Sequence, residues 1–130
     1  MDIIFNRIIL EVYMMNKIVL VGRLIKDPEL RILEGSEKLF TRFVIAVERN
    51  FRSADGEKKA DLIPVTIWGR KAQVVAEYMK KGSLISISGR LRTGSYEDED
   101  GKKRYIAEVV AEDFRFVGSK KQEKEEVQSQ

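Results

Sequence analysis

Three short clusters in this 130-residue chain set flat rings beside cations. Arg49-Asn50-Phe51-Arg52 holds an aromatic between two arginines, and Trp68-Gly69-Arg70-Lys71 sets the only tryptophan beside two cations. Arg90-Leu91-Arg92 leads to Tyr96 at the base of a long charged hairpin. Rings that stack on bases, with cations that track phosphates, are what a sequence-tolerant site for single-stranded nucleic acid requires. Phe51 and Tyr96 fall in polar hairpins, where an aromatic has little core to fill. Trp68, at a strand–helix junction, also reads as a plug for the end of a barrel.

Catalysis finds less to work with. The chain has neither cysteine nor histidine, which removes disulfides, thiol nucleophiles, thiolate and imidazole metal sites, and the Ser-His-Asp triad. The run Glu97-Asp98-Glu99-Asp100 offers oxygen ligands for a divalent cation, but four adjacent acids at a hairpin tip read first as a solvated turn. No P-loop, EF-hand or dinucleotide-binding glycine pattern is present. Lysine and aspartate can act as acid and base, yet no spacing selects a pair. The expectation is a binding protein and not an enzyme, with no metal and no cofactor. The formal charge of +3 is too small an excess to identify a polyanionic partner unaided.

The elements that must position these residues follow from periodicity. At 130 residues and 43% hydrophobic, the chain has material for one domain with one core. No apolar run approaches the roughly 18–20 residues of a membrane span. Lys17 to Ile25 reads as a buried strand, with Gly22 as a bulge or bend, closed by Asp27-Pro28. Glu29 to Leu33 makes a short further stretch. Leu39 to Val47 is the second strand, with Phe43, Ile45 and Val47 on one face and Arg42 and Val44 on the other. Arg49 to Lys59 is a polar hairpin region with Asp55-Gly56 as its tip signal. Asp61 to Trp68 is the third strand, and Pro64 places it at an edge or a bulge.

The period then lengthens. Ala72, Val75, Ala76 and Met79 share one helical face, predicting a helix over Arg70 to Lys81, closed by Lys80-Lys81-Gly82. Ser83 to Thr93 and Tyr105 to Val117 are the fourth and fifth strands, joined by the hairpin Gly94 to Arg104, with Gly89 as another bulge. This order predicts an all-β fold, a five-stranded Greek-key OB barrel with one α-helix between strands 3 and 4. An open α+β sandwich is the alternative.

The expected organisation is an N-terminal extension (1–14), an OB-fold domain (15–118) and a short polar tail (119–130). In the extension, Phe5-Asn6-Arg7-Ile8-Ile9-Leu10 nearly repeats Met15-Asn16-Lys17-Ile18-Val19-Leu20. It reads either as an edge strand for a neighbouring subunit's sheet or as upstream sequence without a role. Asp2, Arg7 and Glu11 punctuate it, unlike a signal peptide.

Residues 15–118 resemble the bacterial single-stranded DNA-binding protein family. The matching text is Met15 to Leu24 (MNKIVLVGRL), Asp27-Pro28-Glu29 with Arg31, Trp68-Gly69-Arg70, Ala76-Glu77-Tyr78, Lys80-Lys81-Gly82-Ser83, Gly89-Arg90-Leu91-Arg92-Thr93 and Glu108-Val109-Val110. Each motif is short; their order and spacing together carry the resemblance. It implies an OB-fold subunit, usually in a homotetramer, that binds single-stranded DNA without strict sequence preference during replication, recombination and repair. It also implies a cytoplasmic, nucleoid-associated location and no membrane partner. Phe51, Trp68 and Tyr96 match the family's base-stacking positions, while Leu62 stands where some members carry another aromatic. Arg70, Lys81 and Arg92 match basic positions for phosphate contacts, with Arg49, Arg52, Lys58 and Lys59 as further candidates.

The tail departs from the pattern. Family members usually end in an acidic, hydrophobic tip that recruits replication and repair proteins, and Lys120 to Gln130 has none, so recruitment is in doubt. The readings kept beside DNA binding are a single-stranded RNA-binding OB module, a primosome-type protein and a protein-binding OB adaptor.

Overall fold

A computed structural model describes residues 14–52 and 54–117, with the backbone alone for Phe51 and Arg52. The tail 119–130 and all of the extension but Met14 lie outside the described residues.

Strict alternation in β3 (Leu39–Arg52) buries Thr41, Phe43 and Ile45 and turns Phe40, Arg42 and Val44 outward. The other long strands are β1 (Ile18–Leu24), β4 (Lys58–Trp68), β5 (Leu84–Glu97) and β6 (Lys103–Phe116). The four-residue β2 (Glu29–Ile32) flanks β3, and α1 (Arg70–Tyr78) lies between β4 and β5. The sheet order is β1-β5-β6-β4-β3-β2. Arg23 and Leu24 of β1 also pair with Ala46 and Ile45 of β3, closing the five long strands into a barrel. β4 and β6 run parallel across Val65–Ile67 and Val109–Ala111, and the other pairings are antiparallel. This is the expected OB arrangement, with the helix after the third long strand.

The barrel interior is aliphatic. Leu24, Ile45, Ile67, Ile85, Ile87 and Val109 meet inside it, and α1 adds Ala72 and Val75, with Met79 just beyond its end. Each such large side chain stabilises the fold by about 1.5–3 kcal/mol when fully buried.

Glycines let the sheet curl, and not always as the sequence suggests. At Gly89 the β5–β6 register shifts. A Cβ there would stand 2.1 Å from the Val110 carbonyl oxygen, so only glycine admits the crossing. Gly22 carries no bulge; its pairing with Ile85 is regular. It is a close-approach site instead, with a Cβ position 2.7 Å from the Ala46 carbonyl where β1 crosses β3.

Three boundaries also differ from expectation. The β3–β4 hairpin is longer, pairing out to Arg52 and Lys58 beyond a register shift after Glu48, because cross-strand hydrogen bonds continue through polar sequence. Pro64 sits opposite Val44 within that ladder, and the β6 ladder begins only at Val65, leaving the proline just outside it. The helix ends at Tyr78, and Met79 is already extended. Lys80 and Lys81 therefore do not neutralise its last turn. Gly82 serves a separate turn, donating its N–H to the Leu24 carbonyl at 2.7 Å.

Candidate nucleic-acid interface

The outward faces of β3, β4, β6 and β5 form one continuous surface. In β4 the outward residues are Leu62, Pro64, Thr66 and Trp68, paired across to Ala46, Val44, Arg42 and Phe40 of β3. In β6, Glu108 shares this face and lies opposite Arg92 of β5, with Tyr96 opposite Arg104 further along the same hairpin. Trp68 is thus on the wall and not a plug; the helix fills that place with Ala72 and Val75. The residue is 39% exposed, and its ring leans on Phe40 at 5.0 Å between centroids. The Arg42 guanidinium lies 5.9 Å from the Phe40 ring centre. Tyr96 is 55% exposed on the hairpin arm. Trp68 and Tyr96 therefore share an outward face, each with ring surface open to solvent.

Gly69 explains how Trp68 and Arg70 come to be presented together. Its φ of 78° lies in the left-handed region that glycine tolerates best. The chain turns there from strand to helix in one residue, pinned by the Gly69 N–H on the Leu39 carbonyl at 2.8 Å. Arg70 then opens α1, whose first turn holds no acid. A cation at the positive end of the helix dipole does nothing for helix stability, so Arg70 is not placed there as a cap. A hollow of about 570 Å³ beside it is lined by Lys38, Trp68, Arg70 and Gln73.

The remaining cations divide by partner. Arg49 makes a two-pronged pair with Asp61, at 2.8 Å from Nη2 and 3.2 Å from Nε. That hydrogen bonding holds the Asp61 carboxyl below its ordinary range and raises Arg49 above its own. Lys58 lies 3.8 Å from Glu48. Lys59 and Lys81 are exposed. The Lys81 backbone N–H is held by Asp27 at 2.7 Å, on the rim of a groove of about 410 Å³ that also includes Arg31, Arg42 and Pro64. Arg52 pairs through its backbone with Lys58, and the side chains of Phe51 and Arg52 lie outside the described residues.

The acidic run is a turn. Asp98 accepts the N–H groups of Asp100 and Lys102 at 3.0 and 2.9 Å, and Arg104 Nε at 2.8 Å. Arg104 chiefly, then the backbone donor at Lys102, keeps its carboxyl below the usual carboxylate range.

Sequence reasoning did not single out four further residues of this surface. Phe40 supports Trp68, and Arg42, Thr66 and Glu108 form a linked group with Arg92. Glu108 Oε1 accepts from Arg92 Nη1 at 3.0 Å, and its Oε2 accepts from the Thr66 hydroxyl at 2.8 Å. Arg42 Nε lies 3.4 Å from Thr66 Oγ1 and 3.9 Å from Glu108 Oε2. A carboxylate between Ala107 and Val109 inside an apolar strand stretch was the available signal.

Comparison with known proteins agrees with the geometry. Residues 15–117 match the single-strand binding protein family. A single-stranded DNA-binding protein of Clostridium tetani is 53% identical over 103 residues, covering 79% of this chain and 70% of that relative. Single-stranded DNA-binding protein 1 of Clostridium acetobutylicum is 48% identical over 108 residues, or 83% of this chain and 98% of the relative. A Bacillus cereus single-stranded DNA-binding protein is 48% identical over 104 residues, spanning 80% and 61% respectively.

Proposed function

Since the chain belongs to the single-strand binding protein family, we propose that it binds and protects single-stranded DNA without catalysis during replication, recombination and repair. The observation that carries this reading is the shared outward face of Trp68, Arg92 and Tyr96, open to solvent and crossed by cations. Bases stack on Trp68 and Tyr96, with Phe51 as a third platform at the far end of β3. Phosphates meet Arg70, Lys81 and Arg92 first, and Arg52, Lys58, Lys59 and Arg49 along the β3–β4 hairpin. Ring faces are common to every base, so the binding is tolerant of sequence.

The working unit is a homo-oligomer, a tetramer in this reading. Val19 and Val21 support it as an exposed apolar pair on the outer face of β1, and linked subunits multiply modest contacts through local concentration. Among the described residues no helix is long and apolar enough to cross a membrane. The site of action that fits the ligand is the cytoplasm, on the nucleoid.

Anisotropy of labelled oligo-dT, compared with oligo-U and duplex at two salt concentrations, tests the reading. Oligo-dT should bind most tightly, with log affinity falling against log salt by about 0.7 per phosphate contacted. Equal binding to duplex, or none to oligo-dT, contradicts it, and preference for oligo-U moves the assignment to RNA.

A further inference from the structure

Glu108 poses a problem for any surface that binds a polyanion. It lies in the middle of the outward face, only 8% exposed, and a carboxylate withdrawn from water is costly unless it is paired. Were it there for stability alone, an apolar residue of similar volume would serve as well, without an anion facing phosphates. Its partners show what it contributes. Three side chains converge on it from three other strands: Arg92 of β5 donates at 3.0 Å, Thr66 of β4 donates at 2.8 Å, and the Arg42 guanidinium of β3 lies 3.9 Å away. The two arginine side chains remain 54% and 63% exposed, so each keeps N–H groups for a ligand while its position is restrained from below.

We infer that Glu108 is a positioning residue for single-stranded DNA, its buried carboxylate holding Arg42 and Arg92 as a paired clamp for neighbouring phosphates. The inference rests on the single-strand reading above, and it adds Arg42 to the contact residues. Thr66 is the bridge: its hydroxyl donates to Glu108 and stands within reach of Arg42 Nε. Arg42 also lies over Phe40, which supports Trp68, so the clamp is held in register with a stacking platform. Restrained guanidinium groups lose less side-chain freedom on meeting a phosphate than free ones do.

The test is oligo-dT affinity across a salt series for the full chain, Glu108→Gln, Arg42→Gln, the double variant and Thr66→Val, with melting curves for each. Glutamine keeps the shape but turns an amide NH2, a donor, toward one of the groups that donate to Glu108. Glu108→Gln should therefore weaken binding about threefold to tenfold, less than the loss of a whole charge-assisted contact, because the arginines stay and only their positioning is relaxed. Its salt slope should fall by about 0.7–1.4, one to two phosphates' worth. Thr66→Val should lose less, with a slope lower by about 0.7, and it decides the matter should Glu108→Gln melt early. Arg42→Gln should cost less in the Glu108→Gln background than alone. Tighter or unchanged binding by Glu108→Gln, with the slope of the parent chain, overturns the clamp and leaves Glu108 an opposing charge. Failure of the parent chain itself to bind oligo-dT would instead bring down the single-strand reading.

Discussion

Leu62→Trp should convert an open position on the interface into a further stacking platform. Leu62 is 63% exposed on the outward side of β4, six residues before Trp68 and on the same face by period two. Its cross-strand neighbour is Ala46, small enough to leave room for an indole. Stacking contributes about 1–3 kcal/mol per base. A ring with no wall beside it belongs at the lower end, about 1–1.4 kcal/mol, so affinity for oligo-dT should rise roughly fivefold to tenfold. The salt slope should stay the same, because no phosphate contact is added. Stability should change little, since the replaced side chain is largely in water. The assay is anisotropy of a labelled oligo-dT at fixed salt, with a melting curve to show that the barrel is intact. A folded Leu62→Trp chain with unchanged affinity would refute the claim that the strand passes over this face.

Trp68→Ala and Phe51→Ala should each weaken oligo-dT binding at least fivefold at about 1–3 kcal/mol per lost stack, whereas neutralising Glu99 and Asp100 should leave it nearly unchanged; competition binding compares them. Gly89→Ala should destabilise the barrel by about 3 kcal/mol or more, because the added Cβ meets the Val110 carbonyl at 2.1 Å and backbone cannot yield there; urea unfolding reads it. The Asp98 turn should show a pH signature, since its carboxyl is held low by Arg104 and the backbone donors. A lowered folded-state pKa contributes stability above the unfolded value near 3.9 and loses it as pH falls through the folded value. The melting-temperature gap between the parent chain and Asp98→Asn should accordingly hold steady from pH 7 to about 5, and close only in stronger acid.

Most of the barrel was legible because its strands are unambiguous. Runs such as Ile18–Leu24 and Leu84–Ile87 leave no helical alternative, and the single change of period at Ala72, Val75 and Met79 marks the helix. What periodicity could not supply was where backbones cross. Gly22 and Gly89 look alike as glycines in strands, yet one sits under the Ala46 carbonyl with regular pairing while the other carries a bulge. The helix end was misplaced for a related reason. Met79 belongs to the apolar face by spacing and is buried, but it reaches the core from extended backbone.

The site was half legible. Trp68 and Tyr96 announced themselves as rings among charges, and the structure brings both to one outward surface. The Glu108 group did not, since Arg92, Thr66 and Arg42 lie 16, 42 and 66 residues before Glu108 and meet it only through the β3–β4–β6–β5 order. An acid in a strand ordinarily marks the wet face; here the partners on neighbouring strands bury it.

The most direct measurement is the fluorescence of Trp68, the chain's only tryptophan, during titration with oligo-dT at low salt. Stacking of a base on the exposed indole should quench the emission saturably, with the signal restored by added salt and with little response to duplex. Emission that stays flat while anisotropy reports bound oligo-dT would contradict the account, because the strand would then be held somewhere other than on this ring.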